Sequence, residues 1–218
     1  MYRSDTLDAA SHKLVGALKG KGIFRQGDPA EAVYRVEHGC VRLQVDDEFG
    51  SRQVIGFVFP GSTFYAGMET HWASAIAVTD TVLTRFSLKS LWELMDTDAS
   101  AAMALLSSAD QFLTRLAQHL NRLTHFDAQE RLTWFLNWLR TQNMESDEQI
   151  IHLPMSRQDV AEFLGIAPET VSRLVRQMTL SGRLHPLGRR RYRYAPAARP
   201  SSPSRPRNHA DHDSYVAA

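Results

Sequence analysis

The chain has 218 residues, of which 43% are hydrophobic and 22% charged, and its formal net charge is +1. This length allows two modest domains, and this composition is ordinary for a globular protein. Because no apolar run approaches the ~20 residues that cross a bilayer, and the first residues lack the apolar core of a signal peptide, we expect a cytoplasmic protein without membrane contact.

The first part of the chain is predicted to form mainly β-structure. Residues 1–20 predict a short helix with Leu14, Val15 and Leu18 as its apolar stripe. From residue 22 to residue 86, short runs of alternating apolar and polar residues are separated by turns that contain glycine or proline. This pattern predicts a small β-barrel or sandwich within a domain of residues 1–95, and a pocket among its strands is a usual place for a small ligand.

Two helices are predicted next. Ser87 is placed to cap a short helix that ends near Met95. A longer helix covers residues 96–126, and its apolar residues are separated alternately by three and four positions. These seam residues are Leu106, Ala109, Leu113, Leu116, Leu120 and Leu123. An amphipathic helix lying on its own domain would use the same residues, but the strict alternation favours an interface with a second copy of the chain.

A C-terminal domain is predicted over residues 127–196. Asp127 and Glu130 have the spacing of a capping box at the start of a helix. Further on, the stretch LHPLGRRRYRY predicts a β-hairpin with its turn at residues 186–188. The remaining residues, 197–218, are rich in proline, serine and arginine, so we expect a disordered tail.

The most informative stretch is residues 156–182, which predicts two short helices joined by a tight turn. Ser156 suits an N-cap, Gly165 suits a left-handed helix end, and Pro168 suits the first position of the second helix. The apolar residues that face the first helix are Val171, Leu174, Val175 and Met178. The opposite face carries Glu169, Thr170, Ser172, Arg173 and Arg176.

An ordinary packed helical hairpin is the weaker interpretation of this stretch. The exposed face offers an acceptor, a hydroxyl and a guanidinium within one turn, and these groups read base edges in DNA. Residues 157–207 also contain eleven arginines and three acidic residues, although the whole chain has a net charge of only +1. Such an asymmetry is typical of a nucleic-acid-binding domain joined to a domain that does not bind nucleic acid.

Three stretches together resemble the CRP/FNR superfamily of bacterial transcription regulators. They are FRQGDPAEAVYRVEHGCVRL, FVFPGSTF and SRQDVAEFLGIAPETVSRL. The resemblance covers residues 14–194 and implies an α+β fold: an N-terminal β-barrel of the cyclic-nucleotide-binding, jelly-roll type, a long dimerisation helix and a C-terminal winged helix-turn-helix. It also implies a homodimer that binds double-stranded DNA. We further expect RNA polymerase as a partner.

Two departures distinguish the sensor half within the superfamily. In the cyclic-nucleotide binders a Gly-Glu pair holds the ribose and an Arg-Ser pair holds the phosphate. Here Phe64 is followed by Tyr65, and His71 and Trp72 stand where the Arg-Ser pair would be. A neutral imidazole and an indole are poor partners for a buried phosphate, so we expect no cyclic nucleotide. Cys40 is the only cysteine, which excludes a four-cysteine iron–sulfur cluster like that of the oxygen-sensing members.

The second helix resembles the recognition helix of the FNR and FixK type, because residues 169–173 match the pattern E-x-x-S-R. That resemblance implies that Glu169 accepts from a cytosine amine, Arg173 binds guanine and Ser172 contacts an outer thymine. The implied site is TTGAT, a spacer of about four base pairs, and ATCAA. Phosphate contacts are expected from Ser156, Arg157, Gln158, Thr170, Arg176, Arg189, Arg190 and Arg191. Analogy extends this to a regulator of low-oxygen or nitrogen-oxide metabolism.

Four further possibilities remain, and only the first two depend on individual residues. His71 or His119 could ligate haem, as in some relatives, but a surface or capping histidine is the more ordinary role. Cys40 could act as a redox switch, although a plain small residue is the default. A small molecule in the β-barrel could gate DNA binding, or another protein could be the main partner. Since no metal-ligand spacing, phosphate loop or nucleophile elbow is present, we expect neither a metal site nor an enzyme.

Overall fold

The structure is a computed structural model that describes residues 4–142, 149–188 and 190–195. The predicted tail at residues 197–218 lies outside the described residues, and so does Arg189. The N-terminal domain, here called the β-domain, opens with a short 3-10 helix at Ser4–Ala9. Its strands are β1 (His12–Ala17), β2 (Gly22–Phe24), β3 (Ala32–His38), β4 (Val41–Asp46), β5 (Arg52–Val58), β6 (Thr63–Phe64), β7 (Ser74–Ala77) and β8 (Thr81–Ser87).

The strands of the β-domain form two antiparallel four-stranded sheets. One sheet has the order β1-β8-β3-β6 and the other has the order β2-β7-β4-β5. The predicted jelly-roll fold is confirmed, but the two sheets are not closed into a barrel. Between them lies an apolar core that includes Phe24, Tyr34 and Phe64.

The prediction of a helix at residues 1–20 is wrong for residues 12–17, although the short 3-10 helix at Ser4–Ala9 lies within the predicted range. Residues His12–Ala17 form β1, which pairs along its whole length with β8, from His12 opposite Phe86 to Ala17 opposite Thr81. Leu14 remains 70% exposed, so burial of an apolar stripe does not shape this segment. The hydrogen bonds to β8 satisfy its backbone instead.

The two predicted central helices are confirmed. Helix α1 spans Leu88–Thr97; Ser87 occupies its N-cap position, but the Ser87 side chain makes no capping hydrogen bond. Helix α2 spans Ala99–His125, and the Asp98 side chain accepts from the amide of Ser100 at 2.8 Å. Among the described residues, no helix combines the length and the hydropathy needed to cross a membrane.

The C-terminal domain has the predicted winged helix-turn-helix architecture. Helix α3 starts at the predicted capping box, in which the side chains of Asp127 and Glu130 each accept from the other residue's amide. The elements are α3 (Ala128–Thr141), β9 (Ile150–His152), α4 (Arg157–Leu164), α5 (Pro168–Leu180), β10 (Leu184–Gly188) and β11 (Arg191–Tyr194). The three strands form a sheet with the order β10-β11-β9.

The C-terminal domain packs directly on the β-domain. One buried cluster combines Phe57 and Phe59 of the β-domain with Phe135 of α3 and Phe163 of α4. Phe57 meets Phe163 edge-on, with the ring centroids 5.4 Å apart. This contact fixes the helix-turn-helix against the sheet that contains β4 and β5.

Candidate nucleic-acid interface

Helix α4 begins and ends at the residues that the sequence predicts. Ser156 Oγ accepts from the amide of Asp159 at 3.0 Å, and Asp159 Oδ2 accepts from the amide of Ser156 at 3.0 Å, which completes a capping box. The Asp159 half of this box was not predicted, although the S-x-x-D spacing signals it. Gly165 ends the helix with a φ of 61°, in the left-handed region that favours glycine.

Helix α5 presents one apolar face and one polar face. Pro168 takes the first helical position, as predicted, and the predicted inward residues Val171, Leu174, Val175 and Met178 are buried. The residues proposed to read bases lie on the opposite face, where Glu169, Ser172 and Arg173 are exposed. Arg176 is exposed on the same face, whereas Thr170 is half-buried.

The three proposed base-reading side chains differ in the hydrogen bonds that they make within the chain. Ser172 Oγ donates to the carbonyl of Pro168 at 3.0 Å, so this hydroxyl keeps only its acceptor capacity for an outside partner. Within the described part of the chain, Glu169 and Arg173 make no side-chain hydrogen bond or ion pair. Their polar groups are therefore available, one turn apart, to groups outside the protein.

The proposed phosphate-contacting residues at the start of α4 are already held in place. The Ser156 hydroxyl caps the helix, Arg157 Nη2 donates to Tyr192 Oη at 3.2 Å, and Gln158 Nε2 donates to Glu162 Oε1 at 2.8 Å. These contacts orient the three side chains. Each side chain still has hydrogen-bonding capacity left for a phosphate.

The hairpin that follows α5 turns later than the sequence predicts. Strand β10 continues through Pro186 to Gly188, and Arg190 adopts a φ of 58° after it. A proline fits here because β10 is the edge strand of its sheet. The Arg190 guanidinium donates to the carbonyl of Pro154, so this side chain also anchors the hairpin. Arg191 is exposed on β11.

The predicted seam on α2 divides into two kinds of position. Leu106, Leu113 and Leu120 are 61%, 62% and 56% exposed. The alternating residues Ala109, Leu116 and Leu123 are only partly exposed, because they face towards the chain's own domains. The spacing of seven residues between the exposed leucines leaves an apolar stripe along one side of the helix.

A cavity of about 740 Å³ lies where the β-domain, α2 and the C-terminal domain meet. Three of the four predicted pocket residues, Phe64, Tyr65 and Trp72, line it, whereas His71 does not. Opposite them, the C-terminal domain contributes Trp134, Trp138 and Phe163. Among the described residues that line the cavity, Arg115 of α2 is the one charged side chain, and it was not among the residues predicted to form the pocket.

The expectation that His71 and His119 are surface or capping residues is wrong, because both are buried. His71 is 3% exposed and stacks on Phe24, with the ring centroids 3.8 Å apart. His119 is 6% exposed and stacks on Phe163 at 4.2 Å. Burial lowers the pKa of both imidazoles.

Cys40 is buried, with 2% of its surface exposed. Burial, together with the negative charge of Asp159, raises the pKa of its thiol above the ordinary range. A thiol of this kind reacts slowly, which favours the default interpretation of a plain small residue. The described residues contain no group of three or more histidine, cysteine or acidic side chains placed to hold a metal ion.

Comparisons with known proteins match both halves of the chain. The model of the cyclic nucleotide-binding domain matches residues 16–98, and that of the Crp-like helix-turn-helix domain matches residues 114–194. The nitrogen fixation regulation protein FixK of Rhizobium meliloti is 34% identical over 168 residues, which are 76% of this chain and 75% of that protein. The transcriptional activator protein anr of Pseudomonas aeruginosa is 30% identical over 183 residues, covering 82% and 75%.

A solved structure shows the same arrangement of domains. FixK2 from Bradyrhizobium japonicum superposes with a TM-score of 0.79 at 30% identity. The superposition covers 84% of this chain and 92% of FixK2. It therefore includes both the β-domain and the helix-turn-helix.

Proposed function

Because the chain belongs to the CRP/FNR family of transcription regulators, we propose that it binds, as a homodimer, a palindrome with TTGAT-like half-sites. The observation that carries this proposal is the exposed face of α5, on which Glu169, Ser172 and Arg173 stand within one turn. Helix α5 is the second helix of the helix-turn-helix, and this helix enters the major groove in proteins of this architecture.

The chemistry of the three side chains supports this half-site. Arg173 presents a planar pair of donors that suits guanine O6 and N7, and Glu169 presents an acceptor that suits the cytosine amine. Ser172 presents a small side chain beside the methyl group of the outer thymine; because thymine O4 is itself an acceptor, the acceptor capacity that Ser172 Oγ retains is not used there. Arg176 and the basic hairpin would contact the phosphates on either side, which adds affinity without sequence preference.

The exposed leucine stripe on α2 supports the homodimer. Leu106, Leu113 and Leu120 together expose an apolar surface that a second copy of α2 would cover. A parallel pairing would relate two α5 helices by a two-fold axis, and this symmetry matches a palindromic site.

A role in low-oxygen or nitrogen-oxide metabolism rests on analogy with the FNR and FixK type of regulator, whereas the names of the relatives support a transcription regulator, in one case of nitrogen fixation. FixK is a nitrogen fixation regulation protein, and anr is a transcriptional activator. By the same analogy, RNA polymerase is a partner, and the chain acts in the cytoplasm, where the chromosome is.

Fluorescence anisotropy with a labelled duplex tests the proposed function. We expect the native chain to bind the palindrome much more tightly than a duplex in which one half-site is scrambled, because only the palindrome engages both subunits. Equal binding to both duplexes would contradict the proposal. Sedimentation of the free protein checks the dimer independently.

Ligand control of DNA binding is a second candidate function, favoured by the cavity of about 740 Å³. Its walls come from the sensor, the proposed dimer helix and the DNA-binding domain, so a bound molecule would contact all three. Leu113 and Leu116 line both the cavity and the predicted seam. The visible absorption and native mass spectrum of purified protein would show a retained ligand or haem. Titration with cyclic AMP should leave DNA affinity unchanged; micromolar binding would contradict that expectation.

A further inference from the structure

Two arginines of the β-domain reach the first helix of the helix-turn-helix. Arg52, on β5, donates to both carboxylate oxygens of Glu162, from Nε to Oε2 at 2.6 Å and from Nη2 to Oε1 at 2.7 Å. Arg42, on the neighbouring strand β4, pairs with Asp159. Since Arg52 Nη2 also lies 3.2 Å from Asp159 Oδ1, the four side chains form one group, which we call the docking cluster.

The docking cluster is largely withdrawn from solvent. The side chain of Asp159 is 8% exposed and that of Arg42 is 13% exposed, and charges at such positions are costly unless they are paired. Gln44 Oε1 accepts from Arg42 Nε at 3.0 Å and from its Nη2 at 2.7 Å, which orients the guanidinium. Gln53 Nε2 donates to the main-chain carbonyl of Glu162 at 2.6 Å, beside the ion pairs.

Both acidic residues of the docking cluster also contact residues expected at the DNA phosphates. Asp159 Oδ2 accepts from the amide of Ser156 at 3.0 Å, and Glu162 Oε1 accepts from Gln158 Nε2 at 2.8 Å. The β-domain is therefore connected, through one side chain each time, to two residues in the N-terminal part of α4. The base-reading face of α5 stays exposed in this arrangement, so docking does not cover these side chains.

We propose that Arg42 and Arg52 are positioning residues for DNA binding, which hold α4 on the β-domain so that α4 and α5 meet the duplex together. The proposal rests on the proposed function, because it takes the exposed face of α5 as the DNA-reading face. Neither arginine contacts DNA in this role; each acts through a carboxylate of α4. A change in the β-domain that moves β4 or β5 reaches the recognition helix through the same ion pairs.

Exchanging the charges of one pair tests the proposal. Arg52→Glu places three carboxylates together and undocks α4. If the docked fraction falls to about one tenth, the apparent dissociation constant for the palindrome rises about tenfold. The double variant Arg52→Glu with Glu162→Arg restores opposite charges at the same positions. We expect the double variant to bind the palindrome with an affinity within about threefold of that of the native chain. Such a recovery would come from the restored ion pair between positions 52 and 162, because each substitution alone weakens binding.

The single variant Glu162→Arg distinguishes docking of α4 on the β-domain from a general electrostatic attraction of α4 to the DNA phosphates. The new positive charge on α4 would strengthen DNA binding if attraction alone mattered. We expect weaker binding instead, because the substitution brings three arginines together and undocks the helix. Arg85→Glu is the matched control. Arg85 pairs with Glu31 at 3.1 Å within the β-domain, so this charge reversal leaves DNA affinity unchanged.

Amide hydrogen exchange of residues 157–164 without DNA reports docking independently of the proposed function. Exchange should be faster than native in each single variant and slower again in the double variant. If the native chain does not bind the palindrome, the proposed function fails, whereas the exchange pattern still tests the docking cluster. A double variant that exchanges and binds as poorly as Arg52→Glu would overturn the proposal, as would Glu162→Arg binding more tightly than native.

Discussion

Arg131 Nη2 donates to the carbonyl of Leu123 at 2.7 Å, which ties the first turn of α3 to the last turn of α2. The same guanidinium donates from Nε to the carbonyl of Phe126 at 2.8 Å and from Nη1 to the carbonyl of Leu164 at 3.0 Å. Arg131 thus joins the end of the proposed dimer helix to the turn of the helix-turn-helix. Gly165 lies in the same place, where an added Cβ would stand 3.3 Å from Leu123 Cδ2.

The first prediction concerns the spacing of half-sites. Changing the spacer by one base pair rotates one half-site by about 35°, so a rigid dimer prefers one spacer length. Arg131→Ala should loosen the connection between α2 and the helix-turn-helix. The preference for one spacer length should then decrease, because the α5 helices of the two subunits can adjust to each duplex. Anisotropy with palindromes that carry shorter and longer spacers measures it.

Arg122→Ala is the matched control for this prediction. The Arg122 guanidinium lies 4.1 Å from the ring centre of Trp134, on the same last turns of α2, rather than at the turn of the helix-turn-helix. The Arg122→Ala variant should bind the palindrome almost as tightly as the native chain and should keep the preference for one spacer length. If Arg131→Ala lowered the affinity equally for every spacer length, Arg131 would stabilise the fold without setting the distance and angle between the two α5 helices.

The second prediction concerns the dimer. Leu113→Asp together with Leu120→Asp should give a folded monomer that has lost palindrome binding. Both leucines are more than half exposed in the single chain, so aspartate is tolerated there until a second helix buries it. Sedimentation and far-UV circular dichroism measure the two outcomes. Leu18→Asp changes an equally exposed leucine of the β-domain and should remain dimeric; a dimeric double variant would place the interface elsewhere.

The third prediction concerns pH. Burial lowers the pKa of His119, and the charges of Arg122 and Arg131 lower it further, while the main chain of Phe163 opposes the shift. Among the described residues, neither ring nitrogen has a partner with hydrogen-bond geometry. Folding therefore disfavours the protonated imidazole, whereas in the unfolded chain the ring binds a proton below about pH 6.5. Since protons then bind the unfolded chain more readily than the folded chain at His119, the free energy of unfolding decreases as the pH falls below that value.

His119→Phe should keep the stack on Phe163 and reduce this pH dependence. Between pH 7.5 and pH 5.5 the free energy of unfolding of the native chain should fall by more than that of the variant, because only the native chain carries an imidazole whose pKa is lowered by folding. Urea unfolding at fixed protein concentration measures the difference. An identical pH dependence in both proteins would show that His119 titrates normally in the folded state.

The helix-turn-helix could be predicted from the sequence because its signals are local. An N-cap serine, a glycine at the left-handed position and a proline at the start of α5 act within a few residues. Ser156, Gly165 and Pro168 occupy the expected positions for that reason. The exposed face of α5 then follows from helical periodicity alone.

Elements that depend on distant partners could not be predicted in this way. Strand β1 forms through pairing with β8, and nothing within residues 12–17 specifies that partner. The docking cluster joins Arg42 to Asp159, which are 117 residues apart in the chain. Only the folded arrangement of the two domains brings them together. The turn of the hairpin was misplaced because Gly188 lies at an irregularity within β10 rather than in the turn.

The central claim is that α5 reads bases through Arg173, and comparing two arginine variants tests it most directly. Affinities of the native chain, Arg173→Ala and Arg176→Ala are measured for the palindrome and for single-base variants, at two salt concentrations. Arg173→Ala should remove about 1–3 kcal/mol of discrimination at the guanine of TTGAT. Arg176→Ala should weaken all duplexes alike and reduce the salt slope by about one ion per lost phosphate contact. If Arg173→Ala lowered affinity uniformly and left the base preference intact, α5 would not be the reading helix.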